Sequence, residues 1–227
     1  MTKSIPSEPE AAEPGAPLVI FGAGGMGREM LVMLRQLNET HFTWDLRGFY
    51  DDQAPPTPTV AGLPYLGTSA DLNATSEPLA VAVAVGDSGS RAAVVARLTS
   101  SQLRFPTLVH PSVALQPYQN ITMGTGCIIQ QGVKLMTDVT LGNFVFINAG
   151  SILGHDAVLE DFCSLMGHVD LSGGAYLEAG AYLGTKATVI QSVRVGRNSI
   201  LGAGAVAVRD IPANCTAAGV PARIIKR

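Results

Sequence analysis

The chain has 227 residues, is 47% hydrophobic and 15% charged, and carries a net charge of −3. That balance, with no Lys/Arg stripe, excludes the electrostatic footprint of a nucleic-acid binder, and no apolar run reaches the roughly 18 residues of a membrane-spanning helix. Three scattered cysteines, Cys127, Cys163 and Cys215, suit no disulfide framework and point to a reducing, cytoplasmic setting.

In chain order, residues 1–16 are rich in Pro, Glu and Ala, lack an apolar signal core and read as a disordered tail. Leu18-Val19-Ile20-Phe21 is an apolar run ending at Gly22, the pattern of a short buried strand. From Arg28 to Leu37, the residues Met30, Leu31, Leu34 and Leu37 share one helical face. Leu46 to Tyr50 reads as a second strand closing on Asp51-Asp52, and the Pro-rich stretch Gln53 to Thr59 as a loop. Val81 to Val85 is a continuous apolar run ending at Gly86, as expected of a central parallel strand covered on both faces. Ser88 is placed to cap a helix reaching about Leu98. Strands alternating with helices over residues 17–108 predict a small Rossmann-like α/β domain with a parallel sheet.

Gly22-Ala23-Gly24-Gly25-Met26-Gly27 fits G-x-G-x-x-G between that first strand and helix. Glycines there let backbone approach a phosphate, and the helix N-terminus offers free N–H donors. Asp51 and Asp52 fall where a ribose-binding acid would lie. Gly86-Asp87-Ser88 with Arg91, at the end of the central strand, is placed to line the same crevice. The segment is only half of a full dinucleotide fold, and no hydride-transfer domain follows it. It therefore suits a single nucleotide, or the diphosphate of a nucleotide-sugar, better than NAD. The plainer alternative is that the glycines only make a tight strand–helix turn.

After Val109-His110-Pro111-Ser112 a six-residue rhythm takes over. From Met123 to Leu201 an aliphatic residue stands at every sixth position, fourteen hexads in one phase, and four residues after each comes a small or β-branched one, Cys127 to Ala205. Gly often follows the aliphatic residue, at Gly124, Gly142, Gly154, Gly184, Gly196 and Gly202. Neither the helical period of 3.6 nor the strand period of 2 produces this pattern; a parallel β-helix does. Residues 109–227 are therefore expected to form a β-solenoid with eighteen residues per coil, closed by a C-terminal cap. A solenoid exposes its end coils, and the α/β domain and the tail from Asp210 through Gly219-Val220-Pro221-Ala222-Arg223 are the available covers.

Of the four histidines, His41 lies in a loop and reads as solvated, while His110 sits at the domain junction. His155 occupies the third, outward position of its hexad and is followed by Asp156, an acid able to orient it. His168 comes thirteen residues later and so does not stack over His155. Paired or coil-stacked histidines, the requirement for a trimer-bound zinc ion of carbonic-anhydrase type, are missing, so no metal is expected.

Together these features resemble the bacterial sugar acetyltransferases of the NeuD, PglD and PerB group, the sialic-acid O-acetyltransferase and nucleotide-amino-sugar N-acetyltransferase family. The resemblance covers about residues 18–227. It is carried by Val19–Glu29, Val83–Asp87, Leu108-Val109-His110-Pro111-Ser112, Asn148-Ala149-Gly150, Gly154-His155-Asp156 and Gly219-Val220-Pro221-Ala222-Arg223. It implies a left-handed solenoid, against the usual crossover hand. It also implies a homotrimer with acetyl-CoA in the grooves between neighbours, and a nucleotide-sugar on the α/β domain at Gly22, Gly24, Gly25, Met26, Asp51, Asp52, Gly86 and Arg91. His155 matches the family's catalytic base, Asp156 its orienter and Asn148 an active-site Asn. Gly173 and Gly202, with Gly184 and Ala203, match backbone along the CoA path. Two positions depart from the pattern: Met26 stands where relatives usually carry His, and a second histidine of some members aligns near Ser164.

The expected reaction is direct acetyl transfer from acetyl-CoA to the amino group of a nucleotide-linked amino-sugar, with His155 as general base and a backbone N–H at the oxyanion. Cys163, at an interior hexad position, is no nucleophile. An O-acetyltransferase acting on a sugar hydroxyl and a non-catalytic solenoid scaffold are the rival readings.

Overall fold

The computed structural model of the chain describes residues 15–40 and 44–227. The expected tail therefore lies outside the described residues up to residue 14, and so does His41; Ala16 already begins the first strand.

The N-terminal part builds β1 (Ala16–Phe21), α1 (Gly25–Thr40), β2 (Trp44–Tyr50), β3 (Thr59–Val60), β4 (Leu63–Gly67), α2 (Ser69–Asn73), β5 (Leu79–Val83), α3 (Ser88–Arg97) and β6 (Leu103–Arg104). The sheet order is β3-β4-β2-β1-β5-β6, parallel except for the β3–β4 hairpin. Strand β1 is central because both its faces are apolar. Leu18 and Ile20 pack with Met30, Leu31 and Leu34 of α1 on one side. Val19 and Phe21 pack with Leu72 of α2 and Val94 of α3 on the other. Burial on both faces is why these runs do not alternate.

Three boundaries differ from expectation. Helix α1 begins inside the glycine loop, at Gly25. Strand β5 starts and ends two residues early, because its ladder with β1 stops at Phe21↔Val83, where β1 turns at Gly22. Asp87, not Ser88, caps α3, its carboxylate accepting from the Ser90 N–H at 2.8 Å. Strands β3, β4 and β6 and helix α2 were not anticipated; they are two to five residues long and only partly buried.

From Leu108 the chain winds into coils of two-residue strands. The first wall stacks Leu108–Val109, Ile128–Ile129, Phe146–Ile147, Ser164–Leu165, Tyr182–Leu183 and Ile200–Leu201. The second stacks Lys134–Leu135 through Val206–Ala207, and the third Thr122–Met123 through Arg194–Val195. From Thr122 to Ala207 each strand pairs with its counterpart eighteen residues on, as Lys134 does with Ile152 and Thr140 with Val158, whereas the first pair, Leu108 with Ile128, is twenty apart. The hexad aliphatic residues and their small partners form one continuous interior from Cys127 to Ala217. Burying each Leu or Ile there contributes roughly 1.5–3 kcal/mol.

A second six-residue rhythm is invisible in the hydrophobic pattern. From Asn120 to Gly204 every sixth residue has positive φ, including Asp138 at 57°, Phe144 at 53°, Asp156 at 58° and His168 at 58°. These left-handed residues make the corners, and Gly, Asn and Asp supply many of them. The glycines that follow the aliphatic residues have another cause. A methyl group at Gly184 would stand 2.6 Å from the backbone N of Ala203 in the next coil.

The α/β domain does not sit on the end of the stack, as expected, but on its side. The outward residues Ile128 and Phe146 of the first wall join the α1 side of the sheet, with Met166 at their edge. The corner residues Phe144 and Phe162 join the other side, where Phe144 stacks on Phe162 and meets Phe105 edge-on, both at 5.3 Å. The docked positions of the first wall carry Ile128 and Phe146, where the coils above carry Ser164, Tyr182 and Ile200. The C-terminal tail does close its end, with Ile211, Cys215, Ala217 and Ala222 packed on the last coils. The final strand, Arg223–Lys226, adds an antiparallel edge to the first wall. Among the described residues, no helix is long and apolar enough to cross a membrane.

Candidate active site

The glycine loop serves two ends. Gly22 has φ 115°, and a side chain there would strike the Ala84 carbonyl at 2.6 Å; one at Gly27 would run into the Gly22 carbonyl. Those two glycines make the turn. Gly24 has open space around it and Gly25 meets only the Arg28 guanidinium, at 3.9 Å, so their backbone is accessible at the N-terminus of α1, where an anion is favoured.

Asp51 and Asp52, the acids expected near a ribose, are both engaged within the protein. Asp51 accepts from the Ala23 N–H at 2.7 Å and from Gln53 at 2.9 Å, so it pins the loop. Asp52 accepts from the Ser69 N–H at 2.8 Å and pairs with Arg97 at 2.7 Å. Partial burial pulls the Asp52 carboxyl upward, but these contacts outweigh it and hold the group below its usual value.

Arg91 is a clearer correction. It was expected in the nucleotide crevice, yet it is only 1% exposed. Its guanidinium donates to the carbonyls of Val85, Gly86, Phe144, Phe162 and Cys163 and to Ser164 Oγ, at 2.8–3.2 Å. Burial pushes its pKa down to about 10, which leaves it cationic at neutral pH. Ser164, at the position of the second family histidine, belongs to the same clasp: it accepts from Ser88 Oγ at 2.9 Å and donates to the Gly86 carbonyl at 2.8 Å. Ser88 and Ser164 thus join the α/β domain to the solenoid.

Beyond this clasp the crevice opens at the corner between the first and second walls. A methyl group on Gly86 would meet Met26 Sδ at 3.3 Å and Met166 at 4.0 Å, so the glycine loop, the end of β5 and the solenoid converge there. Met166, which the sequence reading did not single out, is one coil above Asn148. Asn148 Oδ1 accepts from the Ala149 N–H at 2.7 Å. His168 lies at this corner too, exposed, its ring over Gly150. Above them the corner carries Gly184, Gly202 and Ala203, nearly bare backbone suited to an extended chain.

His155 and Asp156 lie at the next corner, between the second and third walls. His155 Nδ1 is 2.7 Å from Asp156 Oδ2, and both side chains are about two-thirds exposed, at 67% and 65%. The left-handed turn at Asp156 brings its carboxylate back onto the preceding histidine. With Nδ1–H donating to that carboxylate, Nε2 keeps its lone pair. The Nε2 edge lies over Gly173 of the next coil, where any side chain would overlap the imidazole.

His110 is buried at the junction, between Ser112 (2.8 Å) and Gln36 (3.0 Å), and burial pushes its pKa down. Burial pushes the Cys127 thiol up to about 11 and the Cys163 thiol up to about 12, so neither offers a thiolate. Among the described residues, no group of three His, Cys, Asp or Glu side chains is arranged to hold a metal ion.

A family model described as the PglD N-terminal domain matches residues 17–98. Over 214 residues, 92% of this chain and 96% of the relative, the sequence is 29% identical to the GDP-perosamine N-acetyltransferase of Escherichia coli O157:H7. PerB from Caulobacter crescentus, solved in complex with CoA and GDP-perosamine, is 31% identical, with a TM-score of 0.82 covering 92% of this chain and 97% of that one. That perosamine N-acetyltransferase has also been solved with one histidine replaced by asparagine or by alanine. The acetyltransferase domain of PglB from Neisseria gonorrhoeae, in complex with acetyl coenzyme A, is 28% identical, with a TM-score of 0.73 covering 93% and 100%.

Proposed function

The chain belongs to the PglD and PerB family of hexapeptide-repeat sugar acetyltransferases, and from that membership we propose that it N-acetylates the amino group of a nucleotide-linked amino-sugar. It is an acetyl-CoA-dependent acetyltransferase, a Rossmann-like domain joined to a left-handed parallel β-helix. The observation that carries the finer reading is the His155–Asp156 pair, with Nδ1 held at 2.7 Å and Nε2 free over Gly173.

Acetyl-CoA supplies an activated thioester carbonyl. His155 Nε2 takes the proton that the acceptor amine loses as it bonds to that carbonyl, Asp156 stabilises the imidazolium, and as the thioester C–S bond breaks the imidazolium returns the proton to the departing sulfur, releasing the amide and the free CoA thiol. Base catalysis of this kind is typically worth about 10²–10⁴ in rate. The open backbone of Gly24 and Gly25 would hold the acceptor's phosphates, and Met26, Met166 and Asn148 would border its sugar.

Within one chain these parts do not meet. The crevice and the bare track of Gly184, Gly202 and Ala203 lie at the corner before the second wall, and His155 and Gly173 at the corner after it. A head-to-tail contact that sets the first corner of one copy against the second corner of the next joins them, and such contacts form a ring where the rotation between copies closes. A homotrimer with three shared sites is the assembly this reading requires.

The test is thiol release from acetyl-CoA against GDP-, UDP- and dTDP-linked amino-sugars, each beside its hydroxyl counterpart, beginning with GDP-perosamine. Release with an amino-sugar and none with its hydroxyl partner is expected. Turnover on hydroxyl sugars alone would make the enzyme an O-acetyltransferase and overturn the reading.

A further inference from the structure

We propose that Asp138 is a second carboxylate acting on His155, a positioning residue whose charge, fixed one coil below, favours the imidazolium formed during transfer. The inference rests on the reading of His155 as the base.

Asp138 and Asp156 stand eighteen residues apart, at the same corner of successive coils and with nearly the same φ, 57° and 58°. The Asp156 N–H donates to the Thr137 carbonyl at 3.1 Å, which stacks the pair Thr137-Asp138 under His155-Asp156. Asp138 is exposed, yet it is not a loose surface acid. Oδ1 accepts from Asn120 Nδ2 at 2.6 Å, Oδ2 from Thr137 Oγ1 at 2.9 Å, and its N–H is held by the Gln119 carbonyl at 2.8 Å. Those bonds fix the carboxylate at the rung below the imidazole. The hydrogen bonds from Asn120 and Thr137, and then the nearby His155 cation, hold the Asp138 carboxyl below its usual value. A carboxylate fixed in the coil below acts by Coulomb attraction on any positive charge that develops on the imidazole above it.

On its own corner His155 faces Asp156. The coil below contributes Thr137 and Asp138, and the coil above Gly173 and Gly174, which carry no charge. Among the described residues of these three coils, Asp138 is the second charge at this corner beside Asp156, and no hydrogen bond to the ring is needed for it to act; Arg209 and Asp210 lie at the same corner three coils above.

Asp138→Asn removes the charge and keeps the geometry. Its Oδ1 still accepts from Asn120, its amide donates to Thr137 Oγ1, and Asn tolerates the left-handed corner. The measurement is the pH titration of the His155 ring signal in ¹³C-histidine-labelled full-length enzyme, assigned by its loss in His155→Ala, at low and at about 1 M salt. In Asp138→Asn the midpoint is expected to fall by about half a pH unit at low salt, the size of one charge acting through a water-exposed gap. The difference is expected to vanish at about 1 M salt, where charges are screened beyond roughly 3 Å. Turnover is expected to fall about threefold. An unmoved midpoint at low salt, or a shift that persists at high salt, overturns the proposal. His155→Ala separates the two ideas. If it retains wild-type turnover, the base assignment fails; if it is inactive while Asp138→Asn matches wild type in both salts, only the role of Asp138 fails.

Discussion

At the scale of single residues, the candidate site depends on an imidazole that little else restrains. His155 is largely exposed, and its orientation comes from Asp156 on one ring nitrogen and the backbone of Gly173, in the coil above, against the other. His155→Ala should lower turnover by about a hundredfold or more while leaving the coils intact, because the side chain buries little. Gly173→Ala should be nearly as damaging for a different reason: its methyl group would occupy the space of the Nε2 edge. The expected signature is a fall in kcat with an unchanged circular-dichroism spectrum; full activity in Gly173→Ala would mean the ring stands elsewhere during turnover. The His155-Asp156 pair was legible in the sequence because outward hexad positions need no packing residue. Asp138 was not, although the eighteen-residue coil contains the signal: counting back one coil from Asp156 lands on it.

At the scale of elements, the docking of the α/β domain depends on one buried cation. Arg91 links α3 to the carbonyls of two coils and to the end of β5. Arg91→Met would leave those carbonyls buried without donors. We expect a loss of about 3–5 kcal/mol, read as a lower urea midpoint, and Arg91→Lys should not restore it, since an ammonium lacks the flat fork of donors. An unchanged midpoint would show that the apolar contacts of Phe144 and Phe146 suffice. The role of Arg91 was illegible for a physical reason. Its partners on the solenoid lie 53 to 73 residues away, and contacts of that range leave no periodic trace, whereas strands, helices and hexads are periodic by construction. The nearby Gly86-Asp87-Ser88 suggested a ligand crevice, and what the structure places there is a clasp. Asp51 and Asp52 also hold loop N–H groups, a role that an acid at a strand end fills without any trace in the sequence.

At the scale of the whole molecule, register is what the solenoid must preserve. Inserting one residue within a hexad, for example after Leu165, moves every later aliphatic residue out of the interior, so such a variant should fail to fold. One residue added in the Gln53–Thr59 loop should be neutral. Thermal unfolding of the two insertions checks this, and equal stability would refute the account of the core. The repeat and the α/β class were readable from Met123–Leu201 and from the apolar runs at Leu18 and Val81. The side-on attachment was not, because the outward residues Ile128 and Phe146 look like ordinary strand positions until their neighbours are known.

The coils have one more property. Successive strands lie about 4.8 Å apart, and each whole coil repeats the last without changing the corners. The solenoid is thus a ruler graduated in steps of eighteen residues. Duplicating residues 176–193 would leave the crevice, Asn148 and His155 at their present marks and push only Gly202, Ala203 and the C-terminal closure one graduation higher. Chemistry at the base should then survive while the grip on the far end of acetyl-CoA slips, so length above the catalytic coil is a quantity this architecture is able to vary without touching the reaction.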